Sequence, residues 1–81
     1  MKPKVTLYTR AGCCLCDDAK RVLFEARLRA DFDYEEFDID ADPELRRLYN
    51  DEVPVIAINR LKAFKYRVDM SEFLKKLAAR A

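Results

Sequence analysis

The 81 residues are enough for one domain, and we expect residues 1–81 to form a single unit with a small core. Sixteen basic residues oppose fifteen acidic ones, so the net charge of +1 excludes a strong field that would attract nucleic acid or an anionic membrane. No segment has the roughly 20 apolar residues that span a bilayer, and nothing near the N-terminus resembles a signal peptide. We therefore expect a cytoplasmic protein.

The first half of the chain predicts a strand, a helix and a second strand. Residues 5–8 form a short β-branched and aromatic run. From Cys16 onward, apolar residues recur at the spacing of an amphipathic helix: Leu15, Ala19, Val22, Leu23, Ala26 and Ala30. Phe24 and Leu28 lie on the opposite side of this stripe, so we expect a second helix to pack against them, with a surface for a partner protein as the weaker alternative. Residues 34–39 alternate imperfectly and predict a partly exposed strand.

The second half predicts a helix, a hairpin and a closing helix. Asp42 and Pro43 are typical of a helix start, as the cap and the first helical residue. Residues 55–58 are apolar throughout, as in a central strand, and residues 63–68 alternate as in an edge strand after a four-residue turn. Residues 69–72 resemble a capping box that opens the last helix. The order βαβαββα predicts an α/β fold in which three helices cover a mixed four-stranded sheet.

All three cysteines fall within four residues, so they cannot form the long-range disulfides of small secreted domains. Cys13 lies in the predicted loop before the first helix, and Cys16 lies about one turn into that helix. A helix N-terminus stabilises a thiolate, and Arg10 would add to this effect. The spacing predicts that Cys13 attacks a substrate disulfide and that Cys16 displaces the product. Cys14 is interpreted as a non-reactive residue, with a regulatory role or a role as a metal ligand left open.

Residues 8–16 end in Cys-Cys-Leu-Cys and resemble the glutaredoxin stretch that ends in Cys-Pro-Tyr-Cys. The resemblance covers nearly the whole chain, and the Cys-x-Leu-Cys form is similar to that of short bacterial glutaredoxin-like proteins. It implies a thioredoxin fold, disulfide oxidoreductase activity in electron transport, and a redox-active disulfide between Cys13 and Cys16. Val53 and Pro54 correspond to the cis-proline loop of that family, whose backbone pairs with the substrate. An X-Pro bond tolerates the cis form at a cost of only about 0.5–1 kcal/mol.

The resemblance also implies contacts for glutathione. Glutaredoxins bind glutathione with a basic residue before the motif, the Val-Pro backbone, and a Gly-Gly pair followed by Asp after the last strand. Arg10 and Val53 match the first two positions, and Asp69 replaces the acidic residue. The Gly-Gly pair is absent, because residues 64–68 are bulky and charged and would hinder the close approach that glycine permits.

Protein disulfides and glutathione mixed disulfides are therefore the expected substrates, with no resident cofactor. The expected reductant is glutathione or a thioredoxin-reductase-like system, and the missing glycines make glutathione the weaker candidate.

Two other functions stay open. Soft thiolates at this spacing also bind Cu(I), Zn or an iron–sulfur cluster, so a metal-binding module that uses the Cys13-Cys14-Leu15-Cys16 thiolates is the main alternative. A non-catalytic interaction domain that retains the fold is the other, although the intact cysteines argue against it. Arg46 and Arg47 could contact a substrate carboxylate, but a solvated helix face is the favoured interpretation. We expect a monomer that binds neither nucleic acid nor membrane.

Overall fold

The structure, a computed structural model, describes residues 2–80. Its elements, in chain order, are β1 (Lys4–Thr9), α1 (Cys14–Ala26), β2 (Asp33–Asp38), α2 (Pro43–Tyr49), β3 (Val55–Ile58), β4 (Leu61–Lys65) and α3 (Met70–Arg80). A single 3₁₀ turn, Ile39–Ala41, lies between β2 and α2. The predicted order βαβαββα is confirmed. Within residues 2–80, no helix is long and apolar enough to cross a bilayer.

The four strands form one mixed sheet in the order β2-β1-β3-β4. β1 and β2 are parallel, because the crossover through α1 returns the chain to the same end of the sheet. β3 is antiparallel to both β1 and β4. Tyr8 pairs with Val55 and Thr9 pairs with Asp38, so β1 and β2 end where β3 begins. The loop that carries the cysteines leaves the sheet at this end.

The core lies between the sheet and the helices α1 and α3. Successive side chains of a strand point to opposite faces, so Val5 and Leu7 of β1 both face these helices. Ten buried residues form the core cluster: Val5, Leu7, Ala19, Leu23, Ala26, Phe32, Ile56, Ile58, Phe73 and Leu77. The ring of Phe73 meets the ring of Phe32 edge to face, with 5.6 Å between the centroids. Together α1 and α3 cover one face of the sheet.

A row of aromatic rings lies on the other face. Tyr8 of β1 stacks on Tyr49 of α2 at 4.7 Å and on Phe37 of β2 at 5.9 Å between centroids. Helix α2 has no buried residue, and Tyr49 is the residue through which it stacks on the sheet. The carboxylate of Asp42 accepts the N–H of Glu44 at 2.9 Å, which confirms the predicted cap of this helix.

The predicted bounds of the edge strand are wrong. β4 begins at Leu61 and ends at Lys65, because the hairpin turn has two residues rather than four. Asn59 and Arg60 both have positive φ, 51° and 71°, which is the conformation of the tight turns that match the twist of a hairpin. The strand therefore starts two residues earlier than the alternation of apolar side chains predicts.

The expected helix partner for Phe24 and Leu28 is also wrong. These side chains are 53% and 88% exposed. Helix α1 ends at Ala26, so Leu28 lies in the turn that follows it. Phe24 meets Tyr34 of β2 edge to face at 5.7 Å between centroids. In the described chain, α3 packs on one flank of α1 and the edge strand β2 lies on the other, so no helix covers that side.

Candidate functional site

The cysteines lie at the start of α1 as free thiols that differ in exposure. Cys13 is the N-cap residue: its backbone is extended, and its sulfur accepts the N–H of Cys16 at 3.2 Å. An N-cap side chain in this position satisfies one of the unpaired N–H groups of the first turn. Cys13 is partly exposed, Cys14 is exposed, and only 1% of Cys16 is exposed. The pair therefore has an accessible outer sulfur and a protected inner sulfur.

The surroundings of Cys16 favour its protonated form. Burial raises the pKa of the Cys16 thiol, and the contact with Cys13 raises it further. The hydroxyl of Thr9 and the backbone of Arg10 lower this pKa, but their combined effect is smaller. Cys16 therefore ionises less readily than a cysteine in water.

Val53 and Pro54 lie at the same end of the sheet as the cysteines. The peptide bond between them is cis, the isomer that the sequence favours. Pro54 is buried and immediately precedes β3. Because Val55 pairs with Tyr8, this segment lies across from the residues that follow β1. The carbonyl of Pro54 accepts the N–H of Tyr66 at 2.8 Å, which joins the segment to the end of β4.

Arg10 follows β1 and is bound by residues of other elements. Its guanidinium donates to both carboxylate oxygens of Asp40, at 2.7 and 3.2 Å. It also donates to the side-chain and backbone oxygens of Asn50, at 3.0 and 3.2 Å. Arg10 therefore ties the loop before Cys13 to the 3₁₀ turn and to the end of α2. The sequence predicts that this charge supports the thiolate, whereas in the structure Asp40 neutralises it.

The ion pair gives this loop a defined dependence on pH. Hydrogen bonds from Arg10 lower the pKa of the Asp40 carboxyl below its usual value. A carboxyl with a lowered pKa stabilises the fold above the pKa of an unfolded aspartate, about 3.9. That contribution is lost as the pH falls through the lower folded value.

The segment after β4 has an unusual backbone. Tyr66 has a φ of 69°, and the N–H of Arg67 donates to the carbonyl of Lys65 at 2.8 Å, which closes a three-residue γ-turn. Three residues later, the carboxylate of Asp69 accepts the N–H of Glu72 at 3.0 Å and caps α3. The side chain for which the resemblance implies a substrate contact is thus the cap of a helix.

Arg46 and Arg47 lie on the solvated side of α2, as the favoured interpretation predicts. Arg46 pairs with Asp40 at 3.4 Å and donates to its backbone carbonyl at 3.1 Å. Arg47 pairs with Glu44 within the same helix. Both guanidinium groups are more than half exposed, so these pairs contribute little to stability.

The metal-binding alternative requires several ligands that converge. Within residues 2–80, no three His, Cys, Asp or Glu side chains are arranged to hold a metal ion. The sulfur of Cys14 belongs to an exposed residue and that of Cys16 to a buried one, so the two lie in different surroundings. No contact in the described part of the chain favours this alternative.

Sequence reasoning missed three residues of the site. Thr9 is buried and continues the face of β1 formed by Val5 and Leu7. The same alternation, followed one residue beyond the predicted end of the strand, would have identified it. Asp40 and Asn50 have no local signal, because they bind Arg10 across 30 and 40 residues of chain.

Residues 4–78 match the family model described as Glutaredoxin-like domain (DUF836). The chain is also similar to a glutaredoxin-like protein of Dictyostelium discoideum, the YDR286C homolog, with 36% identity over 72 residues. That alignment covers 80% of this chain and 66% of the relative, so the chain spans slightly less than two thirds of the relative's length.

Solved structures agree with the sequence comparison. Protein Ne2328 of Nitrosomonas europaea is 30% identical with a TM-score of 0.82, and the match covers 95% of this chain and 93% of that one. The reduced desulfothioredoxin of Desulfovibrio vulgaris Hildenborough is 23% identical with a TM-score of 0.71, and the match covers 100% of this chain and 83% of that one. The second likeness shows the fold alone.

The thioredoxin fold predicted from the sequence is confirmed by these structural neighbours. A thioredoxin-fold domain with a cysteine pair at the start of its first helix fits a thiol redox role. Since the family model matches 4–78 of the 81 residues, the chain belongs to the family of glutaredoxin-like domains.

Proposed function

We propose that this protein is a thiol–disulfide oxidoreductase that reduces protein disulfides or mixed disulfides. The observation that carries the proposal is the asymmetry of the cysteine pair. The sulfur of Cys13 is accessible and accepts the N–H of Cys16, whose own sulfur is buried one helical turn away. We propose a cytoplasmic location, because cytoplasmic reductants keep such a pair in its dithiol state. We also propose that the active form is a monomer.

Cys13 performs the first step. Its thiolate attacks one sulfur of the substrate disulfide, a mixed disulfide forms, and one substrate thiolate leaves. The unpaired N–H groups and the dipole at the start of α1 favour negative charge at this position. The exposure of Cys13 allows the substrate sulfur to approach it.

Cys16 performs the second step. It loses its proton to solvent and attacks the sulfur of Cys13, so the bond between Cys13 and Cys16 forms and the second substrate thiolate leaves. Two electrons pass from the dithiol to the substrate. An external thiol or dithiol reductant then restores the pair.

The loop residues around the pair have supporting roles in this proposal. An extended substrate segment pairs with the backbone of Val53, next to Pro54 and across from the end of β1, in the manner of an added strand. Arg10 acts through Asp40, by fixing the loop before Cys13. Asp69 holds the start of α3 beside the same end of the sheet.

Replacing Cys16 with serine is expected to trap the mixed disulfide. The variant retains the attacking thiol and lacks the resolving thiol, so an adduct of nearly one equivalent accumulates after reaction with hydroxyethyl disulfide or a disulfide-bonded peptide. Intact mass and peptide mapping measure the adduct, and the wild-type protein releases it. A Cys14→Ser, Cys16→Ser double variant is the control and forms the same adduct on Cys13. An adduct found only on Cys14, or none, would contradict the proposal.

Tyr66 bears on the identity of the electron donor. Tyr66 occupies the segment where the resemblance implies glycine, and its backbone N–H donates a hydrogen bond to the carbonyl of Pro54. Tyr66 lines a cavity of about 130 Å³ together with Leu15 and Val22 of α1. A side chain at this place hinders the close approach of a glutathione backbone. We therefore propose a thioredoxin-reductase-like system, rather than glutathione, as the reductant.

Replacing Tyr66 with glycine is expected to raise the rate at which glutathione reduces the Cys13–Cys16 disulfide, by about tenfold for one restored contact. Glycine removes the bulk and adopts positive φ without the roughly 1–2 kcal/mol that other residues incur. Samples quenched at fixed times, at one glutathione concentration, measure the rate of disulfide reduction. Urea unfolding should show only a small change in stability, because lost side-chain contacts offset the relieved strain.

Tyr66→Phe is the matched control, because it retains the ring and the positive φ and removes only the hydroxyl. Its rate with glutathione is expected to equal that of the wild-type protein. If Tyr66→Gly and Tyr66→Phe react equally fast with glutathione, the side chain at this position does not decide the electron donor.

A further inference from the structure

Thr9 is a buried polar residue that the cycle above does not use. Only 5% of it is exposed. Its Oγ1 is buried and has no hydrogen-bond partner among the described residues. Buried hydroxyl groups in folded proteins nearly always have a partner, because burial without one is unfavourable. The hydroxyl is therefore available to donate to a group that becomes a strong acceptor in another state of the protein.

Cys16 is the neighbour that fits this requirement. Thr9 continues the face of β1 that carries Val5 and Leu7, and this face lies against α1. Cys16 is on that helix and is buried. Both residues are buried on facing elements, and the Thr9 hydroxyl lowers the pKa of the Cys16 thiol. A neutral thiol is a weak acceptor, whereas a thiolate is a strong one.

We propose that Thr9 is a positioning residue whose hydroxyl donates a hydrogen bond to the Cys16 thiolate during the second step. This inference rests on the proposed function and deepens it, because it concerns the resolving half of the same cycle. In that half, the Cys16 proton goes to solvent, the Cys16–Cys13 bond forms, and the bond from Cys13 to the substrate sulfur breaks. Cys16 is charged only between deprotonation and attack. The hydroxyl supplies a donor for that charge at a buried position.

Thr9→Val removes the donor and retains the β-branched shape that suits a strand. The loss of one hydrogen bond to a charged group is expected to raise the pH midpoint of the second step by about one unit. At neutral pH this lowers the thiolate fraction about tenfold, while the more basic thiolate is about threefold more nucleophilic. The second step should therefore slow about threefold, and the first step should keep its rate.

The experiment uses 5,5′-dithiobis(2-nitrobenzoate) in a stopped-flow spectrometer over a range of pH, with reduced full-length protein. Every protein in it, the wild-type reference included, carries Cys14→Ser, because the exposed Cys14 thiol would also react. The coloured thiolate is released in two phases, the first from attack by Cys13 and the second from resolution by Cys16. Thr9→Ser retains the hydroxyl and should keep the wild-type midpoint. Thr6→Val is the matched control, because Thr6 is a buried threonine of the same strand whose hydroxyl donates to Glu35 at 2.8 Å. It should also keep the wild-type midpoint.

The outcomes separate this inference from the proposed function. A raised midpoint in Thr9→Val alone supports the role of the hydroxyl. An unchanged midpoint overturns that role, even if the second phase is slower, because packing alone would slow it without moving the midpoint. If Thr9→Val fails to fold, Thr9→Ala provides the donor-free variant. A wild-type protein without the first phase would instead overturn the proposed function, since attack by Cys13 does not depend on Thr9.

Discussion

Replacing Cys13 with serine is expected to abolish disulfide reduction, with a loss of at least about a thousandfold in turnover. A serine hydroxyl does not ionise near neutral pH and cannot form a mixed disulfide, so the first bond change of the cycle is lost. The measurement is the rate of reduction of a disulfide-bonded peptide, with the protein at catalytic concentration and a dithiol reductant in excess. The rate with the reductant alone is subtracted.

Cys14→Ser is the matched control for this prediction. It makes the same chemical change at the adjacent residue, which is exposed. Its activity should stay close to that of the wild-type protein. An active Cys13→Ser protein together with an inactive Cys14→Ser protein would assign the attack to Cys14 and overturn the proposed mechanism.

Replacing Phe73 with alanine is expected to reduce the free energy of unfolding by about 3–5 kcal/mol. Phe73 is fully buried, and its ring contacts Phe32 and Phe64 at 5.6 and 6.4 Å between centroids. The substitution removes apolar contacts and leaves a cavity between α3 and the sheet. A domain of this length has a total stability of about 4–12 kcal/mol, so the loss is a large part of the whole. Urea unfolding followed by circular dichroism measures it.

The control is the same substitution at Phe24, which is 53% exposed on the uncovered side of α1. Its side chain contacts Tyr34, so its removal should cost about 1 kcal/mol or less. If Phe24→Ala and Phe73→Ala were equally destabilising, Phe24 would be covered in solution, and the exposed flank of α1 described above would be wrong.

The order of elements and the place of the cysteines could be predicted because both depend on local patterns. Asp42 and Pro43 mark the start of α2 within two residues, and the apolar run at residues 55–58 marks the central strand. Cys13 follows a strand and precedes a helical stripe, which places it at a helix N-terminus without any knowledge of distant contacts. Local patterns of this kind predict the structure correctly because the folded chain keeps the backbone conformations that these residues favour.

The remaining features depend on contacts between distant residues or on backbone without a local marker. Asp40 could not be linked to Arg10 from the sequence, because either charge could be solvated. Tyr66 adopts a conformation that normally signals glycine, and the hairpin turn places Arg60 where glycine is usual. Phe24 is exposed because no further helix packs beside α1 on its face of the sheet. The periodicity of α1 alone cannot predict how many helices share that face.

In the proposed cycle, the short span between Cys13 and Cys16 limits where the oxidised and reduced proteins can differ in shape. Cys13 caps α1 and Cys16 lies in its first turn, so a bond between them should require no shift of the sheet or of α3. We therefore expect the outline of the molecule elsewhere to be common to both forms. A molecule that discriminates between the two redox states must do so by touching that first turn, and a surface far from it carries no information about the state of the pair.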